Sequence, residues 1–226
     1  MAIRGHYEHD IADLERRLLA LGEMVDRAIV NAIWALMHRD IGGARRVIAN
    51  DTAIDEQRYE IEEQALRLIA RQQPLAGDLR AISSWMGLAS ELERIGDYAE
   101  GLAAVVVRTA DLPVLEPPPL LNQMATEARM MLRKAIHAIV ARDATAAEQM
   151  ERADDHVDEL YSRVLRELLA VMREHPDLSE TATYLLWAAH NLERIADRTV
   201  NIAERAVFIA TGTLAPVRPE HGPAPV

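Results

Sequence analysis

The chain has 226 residues, half of them hydrophobic but only 4% aromatic, and it carries a formal net charge of −11. It has no cysteine, which excludes a disulfide framework and thiolate metal sites, and no run of roughly 18 apolar residues that would span a membrane. Such an acidic field repels nucleic acid, anionic lipid and free phosphate, and favours a cation or a basic protein surface as partner.

Ala, Leu, Ile, Arg and Glu dominate, the residues of helices rather than of strands. The opening "MAIRGHYEHDIADLERR" lacks the apolar stretch of a secretory signal. In the first predicted helix Ile11, Leu14, Leu18, Leu21, Val25, Ile29 and Ile33 keep a 3.6-type period up to "RDIGG" at 39–43. A second helix is expected over about 43–72, ending at "RQQP", and a third from near Leu75 through "LERIGDYAEGLAAVVV". The proline-rich "DLPVLEPPPL" at 111–120 breaks the helical pattern and reads as a stiff linker. Three more helices follow, over about 119–141, 144–174 and 178–210, before a Pro-rich tail without apolar periodicity.

The two halves repeat one another. Leu92, Glu93, Arg94, Ile95 and Asp97 recur as Leu192, Glu193, Arg194, Ile195 and Asp197, an offset of 192 − 92 = 100. Upstream, Asp51, Asp55 and Glu56 recur as Asp154, Asp158 and Glu159, an offset of 154 − 51 = 103. The three-residue slip falls at the turns between them, where insertions are tolerated. The expected fold is therefore all-α, two tandem three-helix bundles related by internal duplication. The division reads 1–112 for the first bundle, 113–119 for the linker, 120–211 for the second and 212–226 for a disordered tail.

On a helix, residues i and i+4 lie about 40° apart, so Glu93 shares a face with Asp97 and Glu193 with Asp197. Asp51/Asp55 and Asp154/Asp158 make the same arrangement on the preceding helices. His190, Asn201 and Glu204 fall on the Glu193 side, and Glu100 joins the first pair. A single such pair is most simply a solvated surface, since Ile195, Ile202 and Ile209 take the opposite side of the last helix. Like charges at i, i+4 destabilise a helix, however, by a few tenths of a kcal/mol each. Four such pairs repeated across two halves favour bound cations, and hard oxygen ligands suit Mg²⁺, Mn²⁺, Ca²⁺ or iron.

Other residues read as structural. Trp34, Trp85 and Trp187 sit among helical apolar residues and are expected in the core. Arg94 and Arg194 are expected to pair with neighbouring acids, and Arg80 to cap or bridge at the start of the third helix. There is no Gly-rich phosphate loop and no nucleophile elbow, and the di-iron Glu-x-x-His pattern occurs only reversed, once, as His190-x-x-Glu193. No catalytic role is expected.

The doubled "LERIGD"/"LERIAD" block, the Asp-x-x-x-Asp on each preceding helix, the linking "RQQPLAGDLR" and "LGEMVDRAI" in the first helix resemble the PhoU family of phosphate-specific transport accessory proteins. The resemblance covers about residues 6–210. It implies a cytoplasmic, non-catalytic regulator that couples the phosphate transporter, through its ATPase subunit, to a sensor histidine kinase. Such a regulator represses the phosphate-starvation response and restrains uptake, reaches the membrane only through partners, binds no nucleic acid, and is often a homodimer. It further implies metal clusters (iron, manganese, zinc or magnesium) at Asp51, Asp55, Glu93 and Asp97, and at Asp154, Asp158, Glu193, Asp197 and Asn201. The first copy has Gly101 in place of Asn201, and Ala196 replaces the family's usual glycine, which implies a weaker or differently occupied first site. The alternative reading is a carboxylate-rich metal-buffering helical protein.

Overall fold

The computed structural model describes residues 2–213, with side chains from residue 7 onward apart from residue 146. Six helices follow in chain order: α1 (Ala2–His38), α2 (Ile41–Gln72), α3 (Ala76–Arg108), α4 (Pro119–Ala141), α5 (Ala146–Glu174) and α6 (Ser179–Thr211). A single 3₁₀ turn, Pro176–Leu178, precedes α6. The tail expected at 212–226 lies outside the described residues beyond position 213.

The turns explain the repeat as much as the helices do. Arg39 and Arg142 end α1 and α4 in the left-handed conformation, at φ 52° and 53°. The aspartate after each then accepts a hydrogen bond from the next segment. Asp40 takes one from the Gly43 amide at 2.9 Å, and Asp143 one from the Thr145 amide at 2.8 Å. Both satisfy amides left open where a chain re-enters a helix. Pro119 stands at the first position of α4, where a missing N–H costs nothing. Gly212 closes α6 at φ 79°, its amide bonded to the Phe208 carbonyl.

The periodic residues of α1 face inward as expected: Leu14, Leu18, Leu21, Val25, Ile29 and Ile33 are buried, as are Ile195, Ile202 and Ile209 of α6. One continuous apolar core runs through both halves. α3 and α6 share the broadest contact in the molecule, running antiparallel, and α1 meets α4. Gly87 accommodates the Arg205 guanidinium, and a Cβ on Gly101 would lie 2.6 Å from Asn191 Nδ2. Between these points Arg198 reaches the buried Glu91 at 3.6 Å. At the other contact, Asp26 of α1 accepts hydrogen bonds from Arg129 at 2.8 and 3.1 Å and from Arg133 at 2.8 Å, both on α4.

Two of the three tryptophans depart from the reading as core residues. Trp85 is buried, but Trp34 and Trp187 are 52% and 50% exposed. Each instead packs its ring against a neighbour on its own helix: Trp34 stacks on His38 at 4.3 Å, and Tyr184 meets Trp187 edge-on at 5.1 Å. Helical spacing near apolar residues does not fix burial for a ring wide enough to lie along the surface. Arg80 lies beside Gly212, where α6 ends.

Candidate metal centre

Asp51 and Asp55 project from α2 towards α3, one helical turn apart, and Asp97 meets them from α3. Their carboxylate oxygens come within 4.8 Å of one another. The approach is close because Gly96 lies under α2: a Cβ there would stand 3.1 Å from Ile54 and 3.4 Å from Asp51 Oδ1. Asp51 also lines a groove of about 300 Å³ with Met24, Asn31, Asn50 and Gly96. Glu93 sits at the edge of this group and is drawn towards Arg58, at 3.8 Å.

The electrostatics record crowding. Burial, and then the charges of Glu100, Asp97, Asp55 and Glu93, push the Asp51 carboxyl up to about 6. Burial and Asp97 raise Glu93, and burial and Asp55 raise Asp97. Carboxylates so placed repel one another, and a bound cation reverses the sign of that interaction.

The second half carries the same residues in a different state. Asp154 on α5 is 1% exposed, while Asp158 a turn later is partly exposed. On α6, burial and then the charges of Asp197 and Asp158 push Glu193 up to about 7, with Arg194 opposing and Asp154 adding. Arg194 pairs with Asp197 at 2.9 Å, as expected of it, and also hydrogen-bonds Tyr98 of α3. His190 Nδ1 stands 3.3 Å from Glu193 Oε2. Asn201 is partly exposed, one turn beyond Asp197. Among the described residues, Asp51, Asp55 and Asp97 are the acids whose oxygens converge, while in the second half Asp197 pairs with Arg194 and Glu193 faces His190.

The donor set fits a hard cation. Three carboxylates from two helices, close enough to share one ion, supply the anionic oxygens that Mg²⁺, Mn²⁺ or iron accept. In the second half the buried Glu193 Oε2 makes no hydrogen bond, which leaves its lone pairs for a ligand.

The sequence did not bring out the seam between the halves. Glu91 and Arg198 form a mostly buried ion pair across α3 and α6. The signal was present: Glu91 stands among the inward residues Leu88, Leu92 and Ile95, where an unpaired charge would be costly.

This architecture has relatives. The PhoU domain family model matches residues 18–106 and again 121–206. A PhoU homolog of the phosphate-specific transport system from Rhizobium meliloti is 32% identical over 93% of this chain and 89% of its own length. One from Clostridium acetobutylicum is 34% identical, with 91% and 94% covered. The crystal structure of PhoU from Pseudomonas aeruginosa superposes with a TM-score of 0.83 at 32% identity, covering 92% of this chain and all of that one. That of the phosphate transport system regulatory protein PhoU from Streptococcus pneumoniae gives 0.84 at 30%, covering 92% and 99%. The chain belongs to the PhoU family. That family consists of accessory proteins rather than enzymes, in keeping with a sequence without catalytic motifs. No helix among the described residues is long and apolar enough to cross a membrane.

Proposed function

We propose that this protein is a regulator of phosphate transport whose paired carboxylate faces hold cations and dock partner proteins. The reading rests on the convergence of Asp51, Asp55 and Asp97 in a chain of this family. A cation bound there ties α2 to α3 and removes the repulsion that now raises Asp51. Asp154, Asp158, Glu193 and Asp197, with Asn201 beside them, do the same for α5 and α6. Arg58 and Arg194 hold Glu93 and Asp197 in place from one side.

The protein works in the cytoplasm, on the inner side of the transporter. It docks on the transporter's ATPase subunit and on a sensor histidine kinase, holding the starvation response off and restraining uptake while phosphate is plentiful. At a net charge of −11 its surface repels phosphate, so the signal arrives through a protein partner or a bridging metal. The protein acts as a homodimer in this account. A metal buffer is the second reading, favoured by the same carboxylate convergence.

Immobilised ATPase subunit, with Mn²⁺ present and after chelation, tests the account. Wild-type protein is expected to bind, and Asp51→Asn/Asp97→Asn to bind at least 10-fold more weakly. Equal partner binding by both, with metal lost only from the variant, would leave the buffer reading. A phosphate-starvation reporter that stays repressed in cells lacking the protein would remove the regulatory role.

A further inference from the structure

The contact between α3 and α6 keeps one antiparallel register. Arg80 lies beside Gly212, the Arg205 guanidinium lies on Gly87, and Asn191 faces Gly101. From one contact to the next the chain advances seven and then fourteen residues on α3, and retreats by as many on α6. Seven residues are about two turns, so these positions share one face of each helix. The same spacing sets Arg94, midway between Gly87 and Gly101, opposite Arg198, midway between Arg205 and Asn191. Seven residues past Gly101, Arg108 lines a pocket of about 210 Å³ with Gly101, Trp187, His190 and Asn191.

This face is basic in an acidic chain. Arg194 has Asp197 as partner and Arg198 has Glu91, while the exposed Arg94 lends its charge to Glu93 and Asp97. Arg80, Arg108 and Arg205, each partly exposed, have no ion pair among the described residues. The Arg80 Nε is buried and has no acceptor. Guanidinium donors left open in this way gain two-pronged hydrogen bonds from an arriving carboxylate. Trp187, half exposed beside Arg108, supplies the kind of ring that anchors interfaces.

The width of the face selects its occupant. α2 packs on the far side of α3, and α5 on the far side of α6. Asp51, Asp55 and Asp97 therefore flank the arginines on one side, and Asp158 and Glu193 on the other. Packed helices stand about 8–10 Å apart, so a nucleic acid duplex or a lipid surface laid here would also press on those acids. A single polypeptide segment fits between them.

We infer that the α3–α6 face docks an acidic segment of a partner protein, its carboxylates pairing with Arg108 and Arg205 and one side chain entering the pocket at Trp187. The inference rests on the partner-docking part of the proposed function and gives that docking a face and a chemistry.

The test uses the full-length protein and a fluorescein-labelled helical peptide rich in glutamate, with leucine along one side, read by anisotropy at low salt. Wild-type protein is expected to bind it, and Arg108→Gln/Arg205→Gln to bind at least 10-fold more weakly. Arg45→Gln/Arg163→Gln, which removes the same charge from exposed sites on α2 and α5, is expected to change binding less than 2-fold. Trp187→Ala, at a half-exposed ring, is expected to weaken the peptide at least 5-fold with an unchanged thermal melt, which separates lost contact from lost folding. Equal binding by wild type and the Arg108/Arg205 variant, or a peptide that wild-type protein does not bind, overturns the inference. Duplex DNA or phosphatidylglycerol vesicles held more tightly than the peptide, through the same two arginines, overturn it as well. In each of these cases binding to the immobilised ATPase subunit leaves the proposed function standing, and loss of that binding too overturns both.

Discussion

The two carboxylate clusters began as one sequence and now sit in unlike surroundings. In the first, Asp51, Asp55 and Asp97 gather over Gly96, and Glu93 is the member drawn away, towards Arg58. In the second, Ala196 replaces that glycine, Arg194 holds Asp197, His190 stands against Glu193, and Asp154 is fully covered. Keeping the acids while changing their neighbours changes how far each set is covered and which charges face it. The seam differs in the same way. The offset of 100 maps Glu91 onto Asn191 and Tyr98 onto Arg198, so the buried charge pair between α3 and α6 has an uncharged counterpart.

Breaking the seam is expected to have the largest effect. Glu91→Ala leaves the Arg198 guanidinium mostly buried without its partner, at a cost of about 3 kcal/mol in urea unfolding. Asn191→Ala, at the uncharged counterpart, is expected to cost about 1 kcal/mol or less. Similar losses at the two positions would contradict the asymmetry.

Cation binding gives the next largest contrast. At 100 times its dissociation constant, a cation held only by the folded state adds about 2.7 kcal/mol. Asp51→Asn/Asp97→Asn is expected to abolish the manganese-dependent rise in Tm from the first half and leave that of the second. Without metal the same change should raise stability, because it removes like charges that crowd Asp51.

Acidity sharpens the comparison. Asp51 and Glu193 hold their protons more tightly folded than unfolded, with pKa values of about 6 and about 7. Their contribution to stability is fully present below about pH 4 and lost as pH rises through those values. Metal-free protein is therefore expected to melt roughly 3–8 °C higher at pH 5.5 than at pH 8, and saturating cation to flatten that slope. Below pH 4 the trend reverses. The Asp13 carboxyl is held low by its hydrogen bond from Gln64 and by Arg17 and Arg16. Asp26 is raised by burial, but Arg129 and Arg133 outweigh that and hold it low. Protonating Asp13 or Asp26 costs these contacts.

The smallest expected effect concerns the copy that lacks an asparagine. Gly101 faces Asn191 across the seam, so Gly101→Asn does not rebuild the family pattern. It should cost about 1–2 kcal/mol and add no metal affinity, read by melting and calorimetry together. Restored binding would show that the glycine is a missing ligand rather than a close approach.

Much of this was legible in the sequence. The helices could be read because the apolar period of α1 and α6 is long and strict, and the turns because Arg-Asp and proline punctuate both copies. The carboxylate pairs followed from i, i+4 spacing, and Asp51, Asp55 and Asp97 do meet. What could not be read depends on the packing of one helix against another. Spacing along α6 does not reveal that Arg194 would reach both Asp197 and Tyr98, or that Glu91 would find Arg198. Nor does it separate the buried Trp85 from the exposed Trp34 and Trp187, which have equally apolar neighbours in the chain.

The most direct measurement is the metal content of the purified protein by elemental mass spectrometry, beside Asp51→Asn/Asp97→Asn and Glu193→Gln/Asp197→Asn. The account predicts stoichiometric metal in the wild type and the loss of one half's share in each variant. Metal-free wild-type protein that still binds the transporter's ATPase subunit would contradict it, and would make the repeated acids a docking face alone.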